Sequence, residues 1–278
     1  MPHPKKQLLL KDAKKIKKDA KIGDVIKIPL GSGINYGRIA AQTAKQVIIQ
    51  KIREAERDLA FEQYHQKEGT IISGIVQRVE KGMVYLDLGK ASGILPPFEQ
   101  IPGEHYSFGQ RLKVYVLKVE KGPKGPVIFP SRATPQILKE MFRLEVPEIA
   151  SGVVEIKAIA REPGSRSKIA VTSHEQGVDP IGACIGQKGG RIATIINEFN
   201  GEKIDIVEWS DDPKVFIAKA LSPAKVLEVK IHKKQKLATA WVAADQQSLA
   251  IGKKGQNVRL AAKLTGWKID VKLKKENS

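Results

Sequence analysis

The strongest constraint on this chain is that it contains one unit twice. Residues 181–207 read IGACIGQKGGRIATIINEFNGEKIDIV, and residues 247–271 read QSLAIGKKGQNVRLAAKLTGWKIDV. In each, an apolar residue precedes Gly-x-x-Gly with lysine inside it, and an Ile- or Ala-rich helical stretch follows. Each stretch stops at a glycine, Gly201 or Gly266, before a strand that contains Lys-Ile-Asp. Two strand-like runs precede each copy, VEIKAIA with KIAVTS and KVLEVKIH with LATAWVAA. Self-similarity at this level of detail marks a duplicated β-β-α-α-β unit. It predicts a three-stranded sheet with helices over one face.

Helix–GxxG–helix has a specific chemistry. Glycines without Cβ let a phosphodiester approach the main chain. The turn presents amide groups beside a helix N-terminus, whose dipole favours anions. Lys188, Lys253 and Lys254 stand inside the turns, with Arg191 and Arg259 in the next helical turn. This is the KH arrangement of type II order, in which the loop clamps about four nucleotides of single-stranded RNA. The candidate RNA-binding residues are Gly186, Gln187, Lys188, Gly189 and Arg191 in the first copy. In the second they are Gly252, Lys253, Lys254, Gly255, Asn257 and Arg259. Aspartate at Gly186 and Gly252 is expected to remove the grip and leave the fold native. One GxxG is a weak signal; two in matched settings are strong. Trp209, Trp241 and Trp267 fall at or beside the KH strands and are read as core. Only Ser210 to Lys214 separate the two units, which predicts that they pack as one rigid body.

The rest of the chain fits a polyanion partner. Its 278 residues carry 48 Lys+Arg against 30 Asp+Glu, a net charge of +18, which favours nucleic acid. Aromatics make up only 5%, too few for many base-stacking platforms. The first 21 residues are a lysine-rich arm or short helix, VIKIPL (25–30) reads as a short strand, and the glycines around 31–37 as a turn. From Arg38 to about Lys67 no Gly or Pro interrupts a helix-forming run, and Ile48, Ile52, Ala55 and Leu59 form its apolar stripe. Thirty helical residues would span roughly 45 Å, the length of a connector. Between Gly69 and Ala133 the period switches to four or five short strands, which suggests a small closed barrel of OB type. Tyr85 and Arg132, with His105 and Phe129, are its candidate contributors to a weaker, mostly electrostatic RNA surface.

Catalysis finds no support in the residues. There is no Gly-x4-Gly-Lys-Ser/Thr loop, the five histidines share no metal-ligand spacing, and none sits by a candidate nucleophile. Neither a metal nor a cofactor is expected. Cys184, the one cysteine, excludes an internal disulfide and reads as a small core residue. No run approaches the ~20 apolar residues of a membrane span. The start MPHPKKQLLLKDAKK lacks a signal-peptide pattern, so a cytoplasmic location without membrane contact is expected.

Six segments carry a closer resemblance: GRIAAQTAKQVI, FRLEVPEI, REPGSRSKIAV, DPIGACIGQKGGRI, NGEKIDIVEW and QSLAIGKKGQNVRLAAKLTGWKID. Together, and in this order over roughly residues 37–272, they resemble the NusA family of transcription elongation and termination factors. The resemblance implies an α+β multidomain chain: a helical N-terminal domain with a long connector helix (1–68), an OB-type barrel of the ribosomal S-one type (69–133), and tandem type II KH domains (134–209 and 210–278). It implies a non-enzymatic, monomeric protein that rides on RNA polymerase, contacts nascent RNA and modulates pausing, termination and antitermination, with other antitermination factors as further partners. The chain begins only about 36 residues before GRIAAQTAK, so a shortened N-terminal head is expected. In the barrel, Lys81, Val84 and Pro96 stand where S-one-type relatives often place stacking aromatics and a histidine. The competing readings are a ribosomal or other structural RNA-binding protein without polymerase contact, and a phosphorylase-like exonuclease; the second lacks residues for a catalytic domain.

Overall fold

The computed structural model describes residues 8–27 and 36–274. Two compact units, residues 1–53 and 54–278, divide the chain inside its longest helix. In the first unit, α1 (Leu10–Ile16) is the short helix of the lysine-rich arm. No strand forms over Val25–Lys27, and the rest of that expected strand lies outside the described residues. The long helix α2 (Tyr36–His65) ends two residues earlier than its sequence pattern suggested.

The barrel is built from β1 (Ile71–Glu80), β2 (Met83–Asp87), β3 (Ser92–Leu95), β4 (Arg111–Gly122) and β5 (Gly125–Ser131). It closes in the order β1-β2-β3-β5-β4, with β3 and β5 parallel and the other pairs antiparallel. Alternation explains its filling: Val84 and Leu86 on β2 and Leu112, Val114 and Val116 on β4 point inward and are buried. Tyr64, near the end of α2, joins this core and donates its hydroxyl to the Leu88 carbonyl.

Each KH unit begins with a helix. In the first, α3 (Pro135–Glu145) starts with Thr134 as N-cap and proline at the first helical position, where its missing N–H costs nothing. Its Ile137, Leu138, Met141 and Phe142 are fully buried against β6 (Val154–Glu162) and the core beneath. A single turn, α4 (Pro147–Ala150), leads into β6; β7 (Arg166–Ser173), α5 (Pro180–Ile185), α6 (Gly190–Glu198) and β8 (Lys203–Glu208) follow. The second unit runs α7 (Pro213–Ala220), β9 (Val226–His232), β10 (Leu237–Val242), α8 (Gln247–Ile251), α9 (Gln256–Thr265) and β11 (Lys268–Leu273). The central strand of each sheet pairs antiparallel with the strand before it and parallel with the one after, giving β6-β7-β8 and β9-β10-β11. Asp-Pro starts a helix in both units: Asp179 caps α5 and Asp212 caps α7.

The barrel and the KH units are locked together by buried charge. Arg132, between β5 and α3, is 1% exposed; it pairs with Glu104 (2.6 Å) and Glu198 (3.1 Å) and donates to the carbonyls of Lys113 and Glu198. Arg161 on β6 pairs with Glu202 at 2.9 Å, both side chains fully buried, and holds the carbonyls of Arg132 and Thr134. A buried pair of this kind is a weak source of net stability but costs about 3–5 kcal/mol to break from one side, so it fixes geometry. The two KH units share one core, in which Ala160, Ala170 and Val207 of the first meet Phe216, Ile217, Leu221, Leu260 and Ala261 of the second. That shared core matches the expected single body.

Candidate nucleic-acid interface

The two GxxG loops have nearly the same backbone. Gly186 and Gly252 sit at φ 74°, ψ 177° and φ 74°, ψ 170°. Lys188 and Lys254 adopt φ 51° and 53°, and Gly189 and Gly255 φ 77° and 73°. The first glycine's combination of positive φ with ψ near 180° is open to glycine alone. Each loop therefore makes three left-handed residues out of four, which lifts the two central side chains away from the protein. Gln187, Lys188, Lys253 and Lys254 are all exposed. Exposed apolar residues lie nearby in the chain: Ile185 directly precedes Gly186, and Leu249 stands three residues before Gly252.

The glycines have two different reasons to be glycine. A Cβ on Gly186 would come within 2.6–2.9 Å of Arg191, and one on Gly252 within 2.8 Å of the Asn257 backbone nitrogen. Nothing lies within 4 Å of a Cβ on Gly189 or Gly255. The first glycine is thus demanded both by its positive φ and by the chain's own packing, the second by its left-handed φ alone. This corrects the expectation that aspartate at Gly186 or Gly252 would leave the fold native. The amide cradle is also smaller than the motif implied. The Gly189 N–H donates to the Gly186 carbonyl and the Gly255 N–H to the Gly252 carbonyl, both at 3.1 Å. The next amides, of Gly190 and Gln256, close turns onto Gln187 and Lys253. Positive side chains, rather than a row of free amides, are the loops' main offering to phosphate.

Three candidates have structural duties. Asn257 is 2% exposed, and its amide nitrogen donates to the carbonyls of Leu221, Leu249 and Ala250. Its burial removes it from direct contact with RNA. Arg191, at the equivalent place in the first unit, donates to the Ala183 carbonyl (2.7 Å) and pairs with Glu148 (2.9 Å). The backbone amide of Glu148 and, after it, the Arg191 guanidinium hold the half-buried Glu148 carboxyl below its ordinary range. Arg259 pairs with Glu162 of the first unit (2.6 Å) and donates to the Lys254 carbonyl (3.2 Å). Gln256 adds bonds to Glu162 and Ser165, so the second loop is tied to the first unit's β6–β7 turn.

On the barrel, Tyr85 is half-buried on the outer face of β2, with the Arg78 guanidinium 4.0 Å from its ring centroid. Arg132 is corrected: its burial at the barrel–KH junction removes it from any RNA surface. His105 is exposed and Phe129 half-buried. Missed in the sequence were Phe98 and Phe108, 79% and 85% exposed in turns of the barrel. The signal was there in aromatics flanked by Pro-Pro or by polar residues, outside any strand alternation. Trp209 and Trp267 pack on the shared KH core, as expected, but Trp241 belongs to none of the buried clusters. Among the described residues no group of three His, Cys, Asp or Glu side chains could hold a metal, and no helix is long and apolar enough to cross a membrane.

An S1-type barrel followed by two type II KH units with matched loops defines a class, the multidomain single-strand RNA binders. The match to known proteins is more specific. Residues 132–209 match the NusA-like first KH domain, 213–278 the NusA-like second KH domain, 1–58 the NusA N-terminal domain and 65–128 the S1 RNA binding domain. The chain is 51% identical over 266 residues to the transcription termination/antitermination protein NusA of Bacillus subtilis, covering 96% of this chain and 71% of that protein. It is 49% identical over 267 residues to the protein of the same name from Thermus thermophilus, covering 96% and 69%. Against the Rickettsia prowazekii protein of that name it is 44% identical over 275 residues, covering 98% and 54%. The chain belongs to the NusA family.

Proposed function

We propose that this chain is a non-enzymatic, cytoplasmic transcription factor that associates with RNA polymerase and with nascent single-stranded RNA to modulate pausing, termination and antitermination. The supporting observation is the doubled loop: two GxxG turns of one backbone geometry, the first exposing Gln187 and Lys188 and the second Lys253 and Lys254. Gln187 and Lys188 in the first loop and Lys253 and Lys254 in the second meet phosphates, while Gly189 and Gly255 leave room for the strand. Arg191, Asn257 and Arg259 act by holding those loops in shape. Tyr85 with Arg78 forms a weaker surface on the barrel. The units act as residues 1–68, 69–133, 134–209 and 210–278, with the last three a single platform and the chain a monomer. Other antitermination factors are its further partners.

The test replaces only the lifted residues: Gln187→Asp and Lys188→Asp together with Lys253→Asp and Lys254→Asp. Aspartate tolerates the left-handed backbone at 188 and 254. Binding of unstructured RNA should fall by at least tenfold, about 1.4 kcal/mol, with an unchanged circular dichroism spectrum. Wild-type affinity in the folded variant would remove the loops from the RNA site. Capture of core RNA polymerase by the wild-type chain, and its failure with residues 1–53 deleted, which leaves Tyr64 in the barrel core, tests the polymerase contact.

A further inference from the structure

The two KH sheets use the same face in opposite ways. In the first unit the face turned away from α5 and α6 carries two rows, Ala160–Lys168–Asp205 and Ala158–Ala170–Val207. Helices α7 and α9 of the second unit cover it. The matching rows of the second unit are Lys230–Thr239–Asp270 and Glu228–Trp241–Lys272. Trp241 joins none of the buried clusters, and of these six residues only Thr239 is buried. Where the first unit has Ala170 and Val207, the second has a half-buried tryptophan and an exposed lysine.

The uncovered face is strongly basic. Lys230, Lys268, Lys272 and Lys274 lie on or beside its strands, and the β9–β10 turn at one end adds Lys233, Lys234 and Lys236, all exposed. Against these seven stand Glu228 and Asp270, which Lys230, Lys272 and Lys274 approach at only 3.4–3.8 Å. The Lys230 ammonium lies 5.1 Å from the centroid of the Trp241 ring. A lysine-rich face needs only a polyanion. An aromatic ring set among the lysines selects one whose charges alternate with flat apolar groups, which an acidic peptide does not supply.

We propose that the open sheet face of the second KH unit is an additional single-stranded RNA site, in which a base stacks on Trp241 while flanking phosphates lie on Lys230, Lys268 and Lys272. Stacking on a base outweighs an exposed cation–π contact, so Lys230 swings from the ring to a phosphate as the base arrives. The face lies on the opposite side of the sheet from α8 and the second loop. It therefore holds RNA independently of whether the GxxG loops do.

The experiment uses the full chain with Trp209→Phe and Trp267→Phe, leaving Trp241 as the sole tryptophan, excited selectively over the five tyrosines, and with the four loop aspartates described above. A ~12-nucleotide oligoadenylate, within the span of known single-strand platforms, should quench that fluorescence. Polyglutamate at equal charge should not. In the chain that carries the loop aspartates but keeps Trp209 and Trp267, Trp241→Ala should weaken oligoadenylate binding by about tenfold. Alanine at Lys230, Lys268 and Lys272 should lower the salt slope by about two, at ~0.7 per single-strand phosphate. Quenching by polyglutamate alone would make the face a site for acidic protein segments and overturn the proposal. So would unchanged affinity and salt slope in the loop-aspartate background with Trp209 and Trp267 kept, even if the single-tryptophan chain failed to fold.

Discussion

Asp205 and Asp270 are the same residue in the two copies of one unit, each third in a Lys-Ile-Asp strand, and their surroundings share almost nothing. Asp205 is covered by the second unit; Arg166 pairs with it at 2.7 Å and Lys168, 0% exposed, at 3.0 Å. Lys168 also donates to the Ser222 carbonyl across the junction. Asp270 faces solvent with Lys272 at 3.4 Å. Duplication copied a strand, and the packing of one copy on the other then divided its residues into a buried junction and an open surface. Equivalent positions in a repeat share backbone before they share a job.

The sharpest way to break that comparison is to neutralise both aspartates. Asp205→Asn leaves Lys168 buried with a partner it no longer attracts, and stability should fall by about 3–4 kcal/mol in urea unfolding. Asp270→Asn should stay within about 0.5 kcal/mol of wild type. The pH dependence follows the same division. Burial tends to raise the Asp205 carboxyl, but Arg166 and Lys168 together hold it below its ordinary value. Its stabilisation is complete above the unfolded carboxylate pKa of about 4 and is lost as pH falls through the lower folded value. Wild type should lose stability on acidification below about pH 4, and Asp205→Asn should lack that component of the loss. Burial also pulls the Lys168 ammonium below its usual range, against the attraction of Asp205. Equal effects of the two substitutions would mean that the junction is not closed in solution.

The next contrast lies within each loop. Gly252→Ala forces a Cβ to within 2.8 Å of the Asn257 backbone nitrogen in a conformation reserved for glycine; a loss of about 3 kcal/mol is expected. Gly255→Ala meets nothing and has only the left-handed cost of about 1 kcal/mol. Gly186→Ala and Gly189→Ala should repeat the contrast, somewhat softened because Arg191 offers side-chain atoms to move. Thermal melts of the four variants decide it. Similar losses at both glycines of a pair would show that the loop relaxes around an added methyl.

Much of the architecture was legible because it is written in local patterns. The Gly-x-x-Gly repeat and the alternation of Val84 and Leu86 each act within a few residues. What the pattern hid was long-range. Arg132 looks like any exposed arginine until Glu104 and Glu198 arrive from distant segments to bury it. Asn257 and Arg191 look like the polar rim of an RNA loop, yet both reach back to carbonyls of the preceding helix. Trp241 looks like core because it sits in a strand, and only the placement of α7 and α9 shows which sheet face is covered. Sequence specified which residues are near the ligand loop; tertiary contacts decided which of them were free to touch it.

Cys184 sharpens the comparison at its smallest scale. It is fully buried in the first unit, at the place that Ala250 fills, equally buried, in the second. Burial, with the nearby Glu148 charge adding to it, pushes the thiol up to about 12. At pH 8 almost none is thiolate, and no path leads a reagent to it in the folded state. Cys184→Ala converts the first copy to the choice made by the second. It removes one sulfur from a core lined by Ile195 and Phe199, so the loss should be about 1 kcal/mol. RNA affinity should not change, because α5 keeps its Asp179 cap and its bond from Arg191. Maleimide should label the native wild-type chain only at the rate of local opening. Rapid labelling with RNA binding intact would mean that the helix before the first loop opens far more easily than its packing implies.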